Sequence, residues 1–193
     1  MNIWNAPEMG EQSVLPRGTF IQLCFVVEDL QDAMRRYSAF FGAGPWFVSR
    51  WWERDDDPTI YRGSRKPLAT RIALAYAGDM LFELACPELA SPSIFSEWVD
   101  RYGFGIHHYG FGVDDVDAAV SAAEAASLEI LFRSTTPRGT RVAMVDGGPE
   151  LRALKEFIEL TPKTRKVYEF MQTQARGWDG RELIFAGEMP AFD

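Results

Sequence analysis

The sequence predicts an α+β fold in which two βαβββ modules pair into one pseudo-symmetric cupped sheet. Three observations carry this. First, the chain repeats itself: shifted by 86 positions, residues 22–30 lie over residues 108–116. Phe25 then meets Phe111, Val27 meets Val113, Asp29 meets Asp115, and Ala33 meets Ala119 without a gap. Second, each copy runs from an apolar strand through an acidic turn into an amphipathic helix, with three strand-like segments behind it. Third, each copy carries a single carboxylate in an apolar run near its end, Glu83 in Leu81-Phe-Glu-Leu-Ala-Cys-Pro87 and Glu159 in Phe157-Ile-Glu-Leu-Thr-Pro162. A sheet with one apolar face must bury it, and two copies of this size do so together as one unit.

The elements follow in order. The first strand ends at Asp29, which suits an N-cap because its short carboxylate accepts the free amide hydrogens of the first helical turn. The helix at 30–41 puts Ala33, Tyr37 and Phe40/Phe41 on one stripe, and Gly42-Ala-Gly-Pro45 ends it. Strands are expected at 46–52, 69–77 and 80–85, the last two joined by the tight turn Ala77-Gly78-Asp79. A linker follows, with Ser91-Pro92-Ser93 starting a short helix. The second copy has its N-cap at Asp115, an alanine-rich helix at 116–126 and strands at 130–134, 141–145 and 157–160. A helix is expected at 164–174. The organisation is therefore an N-terminal extension (1–18), a first module (19–87), a linker (88–104), a second module (105–162) and a helical C-terminal extension (163–193).

Bulk properties narrow the function. The 193 residues carry 20 basic and 28 acidic side chains, a net charge of −8, so a phosphate backbone would repel the chain and nucleic acid is not expected as a partner. No apolar run is long enough to span a bilayer and no basic amphipathic helix is evident, so no membrane partner is expected. The start has no basic region followed by an apolar core, and a cytoplasmic location is expected. Cys24 and Cys86 are too few for a disulfide framework. Phosphate-loop, CxxC, HExxH and G-x-S-x-G motifs are missing.

The chemistry-bearing residues sit at repeat-related places. Gln22 and His108 occupy the first strand of each copy; Glu83 and Glu159 occupy the last. A carboxylate buried alone costs several kcal/mol, so each needs a cation, a donor or a proton. Under a pseudo-twofold axis the four side chains converge, and one imidazole with three oxygen ligands suits one divalent ion: Zn, Ni, Co, Mn, Fe or Mg. His107 falls on the opposite face by strand alternation. The glycines after His108 leave space over its face for a ligand. Against the metal reading, Glu83 and Glu159 are also open to pairing with arginines such as Arg71 or Arg141. Trp46, Trp51 and Trp52 either line a pocket or cover the sheet, and Arg62 either grips a substrate anion or makes a surface ion pair. Cys24 shares the face of Gln22.

In the strand-plus-Asp-Leu pattern ending at Leu30, Phe-Glu-Leu-Ala-Cys-Pro, Ile-His-His-Tyr-Gly and Phe-Ile-Glu-Leu-Thr-Pro the chain resembles the vicinal oxygen chelate superfamily, over about residues 20–162. That group includes glyoxalase I, methylmalonyl-CoA epimerase, extradiol dioxygenases and bleomycin resistance proteins. The Gln/Glu/His/Glu order is similar to the glyoxalase I pattern. The resemblance implies a metal-dependent isomerase, lyase or epimerase that removes a proton beside a metal-bound carbonyl. By the same likeness Glu159 is the base and Glu83 the second acid/base; from the residues themselves, Arg62, Trp46 and Cys24 are the substrate-binding candidates. The partner is then a small molecule, and a homodimer is compatible with the family. Two alternatives stay open: a metal-free binder of an aromatic drug or metabolite, and a ring-cleaving dioxygenase, which Gln22 in place of a histidine disfavours. The aromatic-rich first half and the C-terminal extension point to a bulkier or more apolar substrate than methylglyoxal–glutathione.

Overall fold

A computed structural model of the chain describes residues 18–52, 58–66, 68–88, 92–148 and 151–192. Most of the N-terminal extension and the run Asp55-Asp56-Asp57 lie outside these residues. The first half comprises β1 (Thr19–Val26), α1 (Leu30–Phe41), β2 (Phe47–Trp52), β3 (Ile60–Tyr61), β4 (Ser64–Arg65), β5 (Ala69–Ala77) and β6 (Met80–Pro87). After α2 (Ile94–Tyr102) come β7 (Gly105–Val113), α3 (Val116–Ala125), β8 (Ile130–Thr135), β9 (Arg141–Asp146), β10 (Leu154–Glu159) and α4 (Pro162–Arg176).

All ten strands form one curled sheet in the order β2-β5-β6-β1-β7-β10-β9-β8-β3-β4. At its centre β1 runs antiparallel to β7, and each is flanked by the parallel last strand of its own half, β6 beside β1 and β10 beside β7. The expected pair of βαβββ modules is thus the architecture observed. One element was not anticipated: the β3–β4 hairpin leaves the first half and pairs with β8 of the second. Two-residue strands are too short to show a period-2 pattern in sequence. Buried Tyr61 and the Arg62 amide, which donates to Leu131 O at 2.9 Å, hold the hairpin there.

The helix starts obey the capping logic. Asp29 accepts from Asp32 N at 2.8 Å, and Asp115 accepts from Asp117 N and Ala118 N at 2.8 and 3.1 Å. Gly42, at φ 71°, closes α1 in the left-handed region, where a side chain is unwelcome. α1 and α3 cover the convex side of the sheet, each over its own half, through Leu30, Met34 and Phe82 in one cluster and Val116, Val120 and Phe157 in the other. The concave side is filled differently. α2 lays Ile94, Phe95 and Trp98 into one part of the cup. α4 lays Val167 and Met171 against Phe47, Tyr76 and Leu81 in another. Among the described residues no helix is long and apolar enough to cross a membrane.

Candidate functional site

Four polar side chains converge on the concave face where the halves meet: Gln22 from β1, Glu83 from β6, His108 from β7 and Glu156 from β10. All four are buried. Gln22 Nε2 donates to Glu83 Oε2 at 2.7 Å and to Glu156 Oε2 at 3.3 Å, and lies 3.2 Å from His108 Nε2. His108 Nε2 is 3.1 Å from Glu156 Oε2. Glu83 Oε1 is buried with no hydrogen-bond partner among the described residues.

Strand register explains which carboxylates arrive. Gln22 stands beside Leu81 in the β1–β6 pair, and His108 stands beside Leu154 in the β7–β10 pair. Two residues along, on the same face, come Glu83 in the first half and Glu156 in the second. The repeat equivalent of Glu83 is therefore Glu156, and the expectation for Glu159 is corrected. Three residues farther along β10, an odd step, Glu159 emerges on the convex face. There it accepts from Arg141 Nε at 3.0 Å, Arg141 Nη2 at 2.5 Å and the first amide of α3, Val116 N, at 3.4 Å. A carboxylate held by a guanidinium and a helix N-terminus already has its counter-charge. The strand expected at 157–160 begins instead at Leu154, which brings Glu156 into the sheet.

The space beside His108 is used within the protein. A Cβ on Gly110 would meet Gln22 Cβ at 2.7 Å and Ile158 Cδ1 at 2.8 Å. The glycine thus admits the Gln22 side chain to the cluster rather than a ligand.

His107 also departs from strand alternation. The β1–β7 register slips between Cys24 and Phe25, which pair with His108 and Ile106, so His107 is the extra residue of a bulge. Its ring turns to the His108 side, with Nδ1 2.9 Å from His108 Nδ1 and Nε2 3.3 Å from Ile94 O. A carbonyl only accepts, so His107 Nε2 donates to Ile94 O. Burial first, and then neighbouring His108, hold His107 well below the usual histidine range, so it is neutral and its Nδ1 accepts. His108 therefore donates from Nδ1, and in its neutral form turns the Nε2 lone pair toward Gln22 and the carboxylates. A ligating histidine is oriented in this way by the bond its other nitrogen makes.

The cluster's electrostatics follow from burial. Burial pushes the Glu83 carboxyl up to about 7, with His108 pulling it down and Glu156 pushing it further up. For His108 burial disfavours the charged form, but the adjacent Glu156, and then Glu83, outweigh it and raise the pKa. The Cys24 thiol, directly across from His108, is raised well above its usual value by burial and by Glu83 and Glu156.

Beside the cluster opens a cavity of about 50 Å³ whose wall includes Gln22, Glu83, Glu156, Trp51, Arg138 and Tyr168. Trp51 Nε1 is buried without a hydrogen-bond partner among the described residues. Val167 and Tyr168 of α4 form part of the wall. The C-terminal extension therefore supplies part of the wall of the cup. The substrate-binding candidates fare unequally. Arg62 lies in a separate depression, paired with Glu97 at 2.6 Å, and Trp46 is fully buried under α1 with its Nε1 on Ser38 Oγ. Neither residue lines the cavity. Cys24 lies in the floor of the cluster. Arg138 and Tyr168 went unnoticed in the sequence.

The donor set fits a divalent ion. Two carboxylates match its charge, the His108 Nε2 lone pair faces it, and a half-turn of the Gln22 amide would present an oxygen. Glu83 Oε1 is a buried acceptor in want of a partner. A second group, Cys24, His107 and His108, also brings its ligand atoms within 4.8 Å of one another. The His107–His108 hydrogen bond already accounts for two of those atoms, and the thiol resists ionisation, so the oxygen-rich set is the better fit.

Residues 21–144 match the model of the glyoxalase/bleomycin resistance protein/dioxygenase superfamily. Among solved structures, methylmalonyl-CoA epimerase from Mycobacterium tuberculosis is 19% identical, with a TM-score of 0.56 over 80% of this chain and 95% of that one. A hypothetical protein from Bacillus halodurans is 18% identical, with a TM-score of 0.55 over 76% and 96%. A Streptomyces coelicolor methylmalonyl-CoA epimerase variant in complex with 2-nitronate-propionyl-CoA is 19% identical, with a TM-score of 0.54 over 75% and 96%. At such identities the likeness is one of fold. No curated protein matches the sequence significantly.

Proposed function

Because the chain belongs to the glyoxalase/bleomycin resistance protein/dioxygenase superfamily, we propose that it is a metal-dependent isomerase, lyase or epimerase that moves a proton beside a substrate carbonyl. Gln22, Glu83, His108 and Glu156 would hold one divalent ion. When bound, the ion would supply Lewis-acid polarisation of the carbonyl.

The observation that carries this reading is Glu83: buried, on the cavity wall, and with Oε1 lacking a hydrogen-bond partner among the described residues. A carboxylate oxygen that faces a cavity with no donor of its own is placed to take and return a proton. Glu83 Oε1 would take the carbon-bound proton and give the same proton back to the neighbouring atom or to the other face of the carbon, while Glu156 would stay ionised as an anchor. His107 would keep the His108 ring in one tautomer throughout. The dry walls around Trp51, Ile72 and Val142 would keep water from quenching the carbanion.

A second reading has one observation in its favour. Gln22 donates to both carboxylates and His108 bonds Glu156, so the network largely closes on itself, as a metal-free binder of a small ligand would require. Metal content separates the two. The full chain, purified without a tag, loaded with Zn, Ni, Co or Mn and analysed for metal, is expected to carry one ion per chain and to show solvent-proton exchange into enolisable carbonyl or CoA-ester compounds. Failure to retain any of these ions would remove the isomerase reading and leave the binder.

A further inference from the structure

Arg138 sits in the turn between β8 and β9, where Thr136 N donates to Thr140 O at 2.9 Å and Gly139 takes a φ of 87°. The turn brings the Arg138 side chain to the wall of the cavity that also contains Glu83 and Glu156. The other arginines near the two sites described are all neutralised: Arg62 by Glu97, and Arg141 by Asp117 and Glu159. Arg138 is not. Among the described residues it makes no ion pair with a carboxylate; its polar contact is Nη1–H donated to Met189 Sδ. This is unusual in a chain with 28 acidic residues against 20 basic ones. A half-buried guanidinium carries five N–H donors, and a thioether is a weak acceptor for one of them. Burial pulls the Arg138 pKa down from the ordinary arginine range, and the neighbouring Tyr168 only partly opposes this.

The surroundings say what would compensate it. The Tyr168 phenol lies on the same wall, within electrostatic reach of Arg138, Glu156 and Glu83, so it spans the interval between the guanidinium and the carboxylate cluster. No ion pair joins Arg138 to either glutamate, so the two charged ends of the cavity stand apart. A molecule placed between them meets proton-transfer groups at one end and a planar cationic fork at the other. Such a fork recognises carboxylate or phosphate in two-pronged fashion.

We infer that Arg138 is the anion-binding residue of this cavity, and that the substrate is a small carbonyl compound bearing a carboxylate or a phosphate remote from its reacting carbon. The inference rests on the proposed reaction for the carbonyl end, while the anion end stands on Arg138 itself.

The test is calorimetric titration of the full chain, metal-loaded and metal-free, with levulinate, dihydroxyacetone phosphate and neutral acetonylacetone. One charged, two-pronged contact predicts that levulinate or dihydroxyacetone phosphate binds about tenfold more tightly than acetonylacetone. Whichever anion binds more tightly identifies carboxylate or phosphate as the group taken. Arg138→Met keeps the apolar stem and is expected to abolish the preference with an unchanged melting temperature; Arg138→Lys is expected to keep part of it. Equal binding of charged and neutral probes, a preference that survives Arg138→Met, or no anionic binding at millimolar concentration would overturn the inference. If the chain holds no metal yet shows the Arg138-dependent preference, the proposed reaction fails and the anion site stands. Metal binding without that preference has the opposite meaning.

Discussion

The two halves of the sheet place their functional residues at matching points yet leave them in different chemical states. In the second half His108 Nε2 lies 3.1 Å from Glu156 Oε2 and, when the ring is protonated, donates to it. In the first half Gln22 and Glu83 hold the same backbone positions, but Gln22 has no charge to offer, and one oxygen of Glu83 is left without a partner. Burial raises Glu83 to about 7, a rise that His108 and the Gln22 hydrogen bond only partly oppose. Under the proposed reaction, a duplicated frame with one substituted residue would separate an anchoring carboxylate from a proton-carrying one. The bulge at His107 deepens the contrast, since only the second half has a side chain that orients its ligand from behind.

The contrast gives a ranked set of experiments. Replacing His108 by Ala removes the one nitrogen ligand and leaves Glu156 buried beside an amide alone; metal affinity measured by calorimetry is expected to fall by more than about a hundredfold. Retention of wild-type affinity would mean that the ion, if any, is held elsewhere. His107→Phe keeps an aromatic ring against Phe95 and Trp98 but deletes the acceptor for His108 Nδ1. Its expected cost is about tenfold to a hundredfold in metal affinity without loss of the site, whereas Cys24→Ala is expected to leave affinity almost unchanged. Complete loss in both variants would instead assign the ion to Cys24, His107 and His108.

Gly110→Ala tests the meeting of the halves. The added Cβ must displace the Gln22 stem or Ile158, and an overpacked core of this kind costs about 1–3 kcal/mol, read as a lowered denaturant midpoint. The asymmetry of Glu83 has a pH signature of definite sign. Its folded pKa is raised above the unfolded value, so its protonated form favours folding at low pH, and that contribution is lost as pH rises through about 7. Metal-free wild type is therefore expected to lose melting temperature relative to Glu83→Gln between about pH 5 and pH 7. A constant difference across that window would remove the raised pKa from the account. Smallest is Glu159→Ala, which breaks a partly exposed pair with Arg141 and a contact to the start of α3; about 1 kcal/mol of stability is expected to go, measured by denaturant titration.

Much of this was legible in the residues. The repeat marked Gln22 and His108 as equivalent, the isolated carboxylate in Leu81-Phe-Glu-Leu marked Glu83, and Asp29 and Asp115 marked both helix starts. Glu156 was hidden because Leu154-Lys-Glu-Phe does not read as an apolar strand. Lys155 is tolerated there because its ammonium lies 4.3 Å over the Phe111 ring on the convex side. The matching spacing Leu81-x-Glu83 and Leu154-x-Glu156 was the available signal. His107 was hidden for another reason: a bulge changes which face a side chain occupies, and its cause lies in the β1–β7 register rather than in local sequence. Arg138 carries no local mark at all, since a turn arginine becomes part of a cavity only when α4 packs beside it.

The central claim is that Glu156, and not Glu159, completes the cluster with Gln22, Glu83 and His108. It is tested most directly by metal content of the full chain by elemental analysis for wild type, Glu156→Ala and Glu159→Ala after identical loading and desalting. The account predicts one ion per chain in wild type and in Glu159→Ala, and none in Glu156→Ala. An ion lost from Glu159→Ala and kept by Glu156→Ala would contradict it.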